Sequence, residues 1–169
     1  MTATAGDHGQ EAPPRDRRLA GVVGLRVTTA ARTVSPGECG ILTSLLWTRG
    51  SLHTDVTVAE ASPFGALSLA GPVVVAIAAG LWATSTLMPT LSERHGLRLF
   101  ALLGSEVRYR RPVLAGDTVY LEITVTGARR SRGTPTRAVL DMEERLLNQR
   151  GECALEIEEH VLADVLSAP

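Results

Sequence analysis

One histidine stands where an acid–base group would be useful. His53 lies in the stretch LLWTRGSLHTD, residues 45–55, in a Gly/Ser/Thr loop that follows an apolar helical run. An imidazole titrates near ~6.5, which suits a general base at neutral pH. The six residues before it, Trp47 to Leu52, contain no carboxylate to share a proton with. Asp55 lies two residues beyond His53, and Glu60 follows on the next turn. Glu38 lies about three helical turns before Thr48, ~14 Å away along a helix axis. The stretch therefore reads either as a site that works with a lone histidine or as a loop in which His53 caps a turn.

The composition narrows the chemistry. A chain of 169 residues with 44% hydrophobic content fits one globular domain. A net charge of −1 gives no reason to expect nucleic acid or an anionic membrane as partner. All 17 basic residues are arginine, which excludes a Schiff-base lysine and a phosphate-loop lysine within the chain. Cys39 and Cys153 are far apart and form neither a metal motif nor a disulfide framework, so they read as reduced structural thiols. No metal ion and no cofactor is expected. The first 18 residues are polar and lack the apolar core of a signal peptide. The longest apolar run, LAGPVVVAIAAGLWA at 69–83, is too short to span a bilayer and reads as a buried helix. The expectation is a soluble, cytoplasmic protein.

Several elements must position His53. Residues 1–19 are rich in Gly, Pro and charge and read as a disordered tail before a single domain over 20–169. GLRVTTAARTVS, 24–35, suggests an extended segment. SPGECGILTSLLW, 35–47, reads as a helix with Ser35 as N-cap, Pro36 at the first position and Glu38 closing a capping box. TVAEAS, 57–62, fits one short helical turn. GPVVVAIAAGLWATSTL, 71–87, is a helix that is apolar on nearly all faces and so must be buried on most sides. From residue 97 four strands follow: LRLFALLGSEVRYRRPV, DTVYLEITVTGARR, TRAVLDMEERLLNQ and ECALEIEEHVLA. AGD, RRSRG and NQRG supply the turns between them. That order is α+β, an antiparallel sheet packed around one apolar helix.

Three pieces, SLHTD at 51–55, SPFGALSLAGPVV at 62–74 and RYRRPVLAGDTV at 108–119, occur in this order, with NQRGE at 148–152 in the last hairpin. In order and spacing they resemble the MaoC-like dehydratases and (R)-specific enoyl-CoA hydratases over residues 24–163. The resemblance implies a hot-dog fold, a curved antiparallel sheet wrapped around a central helix. It departs in the loop before His53. In register on that histidine, the family's catalytic aspartate falls on Thr48, its asparagine on Gly50 and its proline on Ser51.

The resemblance implies water addition to, or removal from, an acyl thioester carried by CoA or an acyl carrier protein. His53 would act as base, and Thr48 would position water without taking a proton. The Gly71 amide, 18 residues after His53 at a helix start, would hold the enolate oxygen. Gly50, Ser51 and Asp55 would line the substrate site. Arg108, Arg110 and Arg111 would meet the carrier phosphates, or else stand as ordinary strand-surface charges. A homodimer or a heterodimer of hot-dog subunits is implied, since joined sheets remove an exposed edge. Two further readings fit a loop without its aspartate. One is a catalytically silent subunit beside an intact chain. The other is a changed reaction, thioester hydrolysis or cyclisation, in a biosynthetic pathway.

Overall fold

The computed structural model describes residues 16–166. Residues 1–15 of the expected tail lie outside that range. Asp16–Leu19 lie inside it, where the short helix α1 (Arg17–Ala20) begins and Leu19 joins the core. Two short strands follow, β1 (Arg26–Thr28) and β2 (Arg32–Thr33), within the segment expected to be extended.

Helix α2 (Pro36–Leu45) begins as the sequence predicts. Ser35 Oγ accepts from the Glu38 amide at 3.2 Å, and Glu38 Oε2 accepts from the Ser35 amide at 3.0 Å. Both halves of the capping box are present, so two amides that a helix start leaves free are satisfied. Ser35→Ala is expected to cost about 1 kcal/mol of stability, read as a lower urea midpoint at unchanged m-value. An unchanged midpoint would show that the cap does not hold α2.

The predicted loop around His53 is instead helical. Helices α3 (Ser51–Thr54) and α4 (Val56–Glu60) adjoin at Asp55. The cause is local. Gly50 O accepts from the His53 amide and from Thr54 Oγ1, and Asp55 Oδ1 accepts from the amides of Thr57 and Val58. One turn ends on the residue that caps the next.

Helix α5 (Gly71–Ala83) starts at the expected glycine but ends before residue 87. The Thr84 hydroxyl donates to the carbonyls of Gly80 and Leu81, and Ser85 Oγ accepts from the Leu87 amide. This breaks the run and begins α6 (Leu87–His95), a helix the sequence reading leaves unassigned. Gly96, at φ 62°, closes it in the left-handed conformation. Residues 71–95 together are long and apolar enough to cross a bilayer. The break decides otherwise: α5, at 13 residues, reaches ~20 Å against a hydrocarbon core of ~30 Å.

The four long strands are β3 (Leu97–Tyr109), β4 (Thr118–Arg130), β5 (Arg137–Asn148) and β6 (Cys153–Val165). The sheet is antiparallel in the order β1-β4-β5-β6-β3, with β2 also on β4. Bulges in β3 near Ala101 and Gly104 and in β4 near Gly127 bend it. Its concave face carries Leu121, Ile123, Leu140, Met142 and Leu155, packed with Val73, Val74, Ile77, Ala78 and Leu81 of α5 in one core.

The expectation that α5 is buried on most sides needs correction. Ala76, Ala79, Gly80 and Ala83 are exposed. The helix lies on the sheet rather than inside a closed layer, so a strip of small side chains remains open.

Candidate active site

The His53 ring is half-buried on α3. Its Nδ1 lies 2.7 Å from the carbonyl oxygen of Ser68. A carbonyl only accepts, so Nδ1 carries the proton and Nε2 keeps its lone pair. Ser68 is itself fixed: its amide donates to Leu52 O, and it bridges to Leu114. Gly50 sits beside the free edge of the ring, where an added Cβ would lie 3.4 Å from His53 Cδ2 and 3.8 Å from Nε2. The glycine thus leaves space next to the basic nitrogen. Ser51 is exposed, and its carbonyl takes the Asp55 amide.

Thr48 is committed to ending α2. Trp47 adopts φ 57°, left-handed and uncommon for a bulky residue. Its amide donates to Ser44 O, and the Thr48 amide donates to Thr43 O at 3.1 Å. That pair of bonds is a Schellman cap with tryptophan at the position glycine usually fills. The Thr48 hydroxyl also points to Thr43 O, at 3.4 Å. Asp55 is occupied as the cap of α4. Among the described residues, the His53 side chain is hydrogen-bonded to Ser68 O and to no carboxylate.

Gly71 opens α5, and its amide has no acceptor among the described residues. A helix start with a free N–H favours negative charge. Pro72 contributes no N–H, so Gly71 supplies the outermost donor. A Cβ on Gly71 would fall 2.9 Å from Tyr109 Cζ and Oη. Only a glycine fits beneath that ring. Gly71→Ala is expected to push the ring aside and cost roughly 1–3 kcal/mol, with the loss recovered in Gly71→Ala/Tyr109→Ala. Equal melting temperatures for the two variants would show that Tyr109 does not set the limit.

Arg108, Arg110 and Arg111 lie exposed at the end of β3 and just beyond it. Arg108 pairs with Glu158 and Glu106, Arg110 with Glu156 at 2.6 Å, and Arg111 with Glu152 at 3.6 Å. The Arg110 guanidinium holds the Glu156 carboxyl below the usual range. A phosphate would compete with these carboxylates. Sequence reasoning missed the Ser68 carbonyl and the Tyr109 ring, because both reach the site through tertiary folding alone.

The pattern of the MaoC like domain matches residues 48–144, more than half of the chain. This chain belongs to the MaoC-like family. Solved structures agree with it. The MaoC-like dehydratase from Rhodospirillum rubrum is 28% identical with a TM-score of 0.74, over 87% of this chain and 94% of that one. The (R)-hydratase from A. caviae involved in PHA biosynthesis is 22% identical with a TM-score of 0.63, over 82% and 94%. A Mycobacterium tuberculosis protein described as having a double hot-dog fold is 19% identical with a TM-score of 0.67, over 87% of this chain and 43% of that one. No curated relative matches the chain. The MaoC-like chain therefore has the hot-dog fold that its strand and helix order implies.

Proposed function

We propose that this MaoC-like chain is a hydro-lyase acting on an enoyl or 3-hydroxyacyl thioester carried by CoA or an acyl carrier protein. His53 Nε2 takes a proton from water as the water oxygen attacks C3. The Gly71 N–H holds the developing enolate oxygen, and the imidazolium returns a proton to C2. The reverse sequence removes water. The bond from His53 Nδ1 to Ser68 O carries this reading, because it fixes the tautomer with a basic Nε2. The role of the lost aspartate at Thr48 would fall to bound water. Arg108, Arg110 and Arg111 are the candidates for the carrier phosphates.

The active form we propose is a dimer of hot-dog subunits, identical or not, in the cytoplasm. Strand β3 ends the sheet, with Phe100, Leu102 and Leu103 exposed on it, and the open strip of α5 adds apolar surface. The test incubates the protein with a panel of trans-2-enoyl thioesters and follows water addition by mass spectrometry. Hydration supports the reading, and its absence on every substrate overturns it.

One observation favours a second reading, a silent subunit beside an intact partner. Thr48 and Asp55 are both spent on helix caps, which leaves His53 without a carboxylate. Hydration that appears only when a related hot-dog chain is added would establish this reading in place of the first.

A further inference from the structure

The connection from β3 to β4 carries a buried acid that the proposed reaction leaves unused. Asp117, the residue before β4, is 8% exposed. Burial of a carboxylate is costly unless its oxygens find donors. Both oxygens do. Oδ2 takes the Leu114 amide at 2.8 Å, and Oδ1 takes Gln149 Nε2, also at 2.8 Å. Gln149 lies in the hairpin between β5 and β6, and its amide group has one orientation. Its Oε1 accepts from the Thr118 amide at 3.1 Å, so Nε2 must face Asp117.

Leu114 links this acid to the reacting groups. It forms an antiparallel bridge with Ser68. The Leu69 amide donates to Val113 O at 2.8 Å, and the Ala115 amide donates to Leu67 O at 3.0 Å. Ser68 and Leu114 are therefore a non-hydrogen-bonded pair, whose own N–H and C=O groups point outward. On one side the Ser68 carbonyl meets His53 Nδ1 at 2.7 Å. On the other side the Leu114 amide meets Asp117. Gly71 follows three residues after Ser68 on the same segment. Backbone bonds with Val34 hold the turn at Gly116 and Asp117, which leaves its Leu114 end to the Asp117 side chain.

We propose that Asp117, oriented by Gln149, is a positioning residue that holds His53 and the Gly71 amide in register for the reaction proposed above. The chemistry rests on that reading, whereas the placement of the ring is measurable without turnover. The position requires a carboxylate and not an amide. Leu114 and Gln149 both present donors, so both oxygens must accept. Asparagine offers one acceptor and one donor, and its NH₂ would face the donating Nε2 of Gln149. The hairpin side can be inverted to match. With Gln149→Glu in addition, the introduced carboxylate accepts from Thr118 and from the introduced amide. Every bond is then remade, with the charge moved to an exposed residue.

Nitrogen NMR of histidine-labelled protein reads the ring directly, with His53→Ala assigning its signals among the four histidines. Above the imidazole range near ~6.5, wild type is expected to hold one neutral tautomer, with the proton on Nδ1. Asp117→Asn should give mixed tautomers, and Asp117→Asn/Gln149→Glu should return to one. A wild-type pattern in folded Asp117→Asn overturns the proposal, as does a mixed pattern in the double variant or in wild type. Should Asp117→Asn fail to fold, Gln149→Leu releases Oδ1 from an exposed position, and unchanged His53 signals there overturn the proposal. Hydration rates give a second readout. A misplacement of about 1 Å can cost ~10²-fold, so kcat should fall about tenfold or more in Asp117→Asn, with KM within about twofold. The double variant should recover it. An unchanged kcat in Asp117→Asn overturns the proposal. A wild type without hydration ends the reaction reading alone, because the tautomers still decide whether Asp117 positions His53.

Discussion

His53→Ala is expected to lower hydration kcat/KM by about 10²–10⁴-fold and to leave the fold in place. The size follows from removing a positioned acid–base group whose work no neighbour takes over. The carboxylate nearest in sequence, Asp55, already accepts two amides at the start of α4. Thr48 cannot accept a proton at neutral pH, and its hydroxyl is turned to Thr43 O. Stability should change little, because the lost bond from Nδ1 to Ser68 O is worth about 1 kcal/mol. The loss should sit in kcat rather than KM, since the imidazole acts on the attacking water and not on the bound thioester. Thr48→Ala provides the contrast. It removes a hydroxyl bound to a helix end, so its effect on kcat should stay within a few-fold. Initial rates on the best enoyl thioester, with melting curves for each variant, decide between these outcomes. A His53→Ala enzyme with wild-type kcat would end the role of His53 as base. A large kcat loss in Thr48→Ala would place Thr48 in the chemistry despite its cap.

The sheet and the helix starts were legible in the sequence because both are local. Period-two alternation in VYLEITV locates β4, and Ser35 with Pro36 and Glu38 locates the start of α2. The end of α5 was not legible. It depends on which carbonyls the Thr84 hydroxyl takes, and the apolar run carries straight past it. The charge of Asp55 is visible in sequence and marks it as a spare acid, whereas its bonds to Thr57 and Val58 amides appear only in the folded chain. The anchoring of His53 is further still from local pattern, since Ser68 O reaches it across 15 residues. Glu144 and Glu159 are a different case. Each stands in phase with the apolar residues of its strand, so parity alone places both acids on the inner face. For Glu159 that signal stands in ALEIEEHV, where the acid falls in phase with Leu155, Ile157 and Val161.

The same two acids set the second large prediction, a melting temperature that falls as pH rises. A buried carboxyl resists ionisation, and Glu144 is held protonated up to about 8 in the folded chain. In the unfolded chain a glutamate ionises near ~4.3. Between those values the folded state binds more protons than the unfolded state, so stability declines as pH rises and levels off above about 8. Glu159 is raised as well, by its own burial, and adds in the same direction. The half-buried carboxyls of Glu38 and Glu152 act oppositely. Hydrogen bonds hold them below the usual range, chiefly from the Ser35 amide to Glu38 and from Asn148 to Glu152, so their stabilisation fades only as pH falls towards acid. A scan upward from pH 5 therefore leaves those two ionised, and the difference between wild type and Glu144→Gln isolates the buried acid. Glu144→Gln replaces the titrating group with a neutral amide of similar shape, so its curve should be flatter and should lie above wild type at pH 8. The gain should be on the order of a few kcal/mol, or roughly 5–10 °C for a chain of this length. A wild-type melting temperature equal at pH 5 and pH 8 would deny that Glu144 stays protonated in the fold. A Glu144→Gln variant less stable than wild type at pH 8 would mean that the ionised carboxylate holds the strands together.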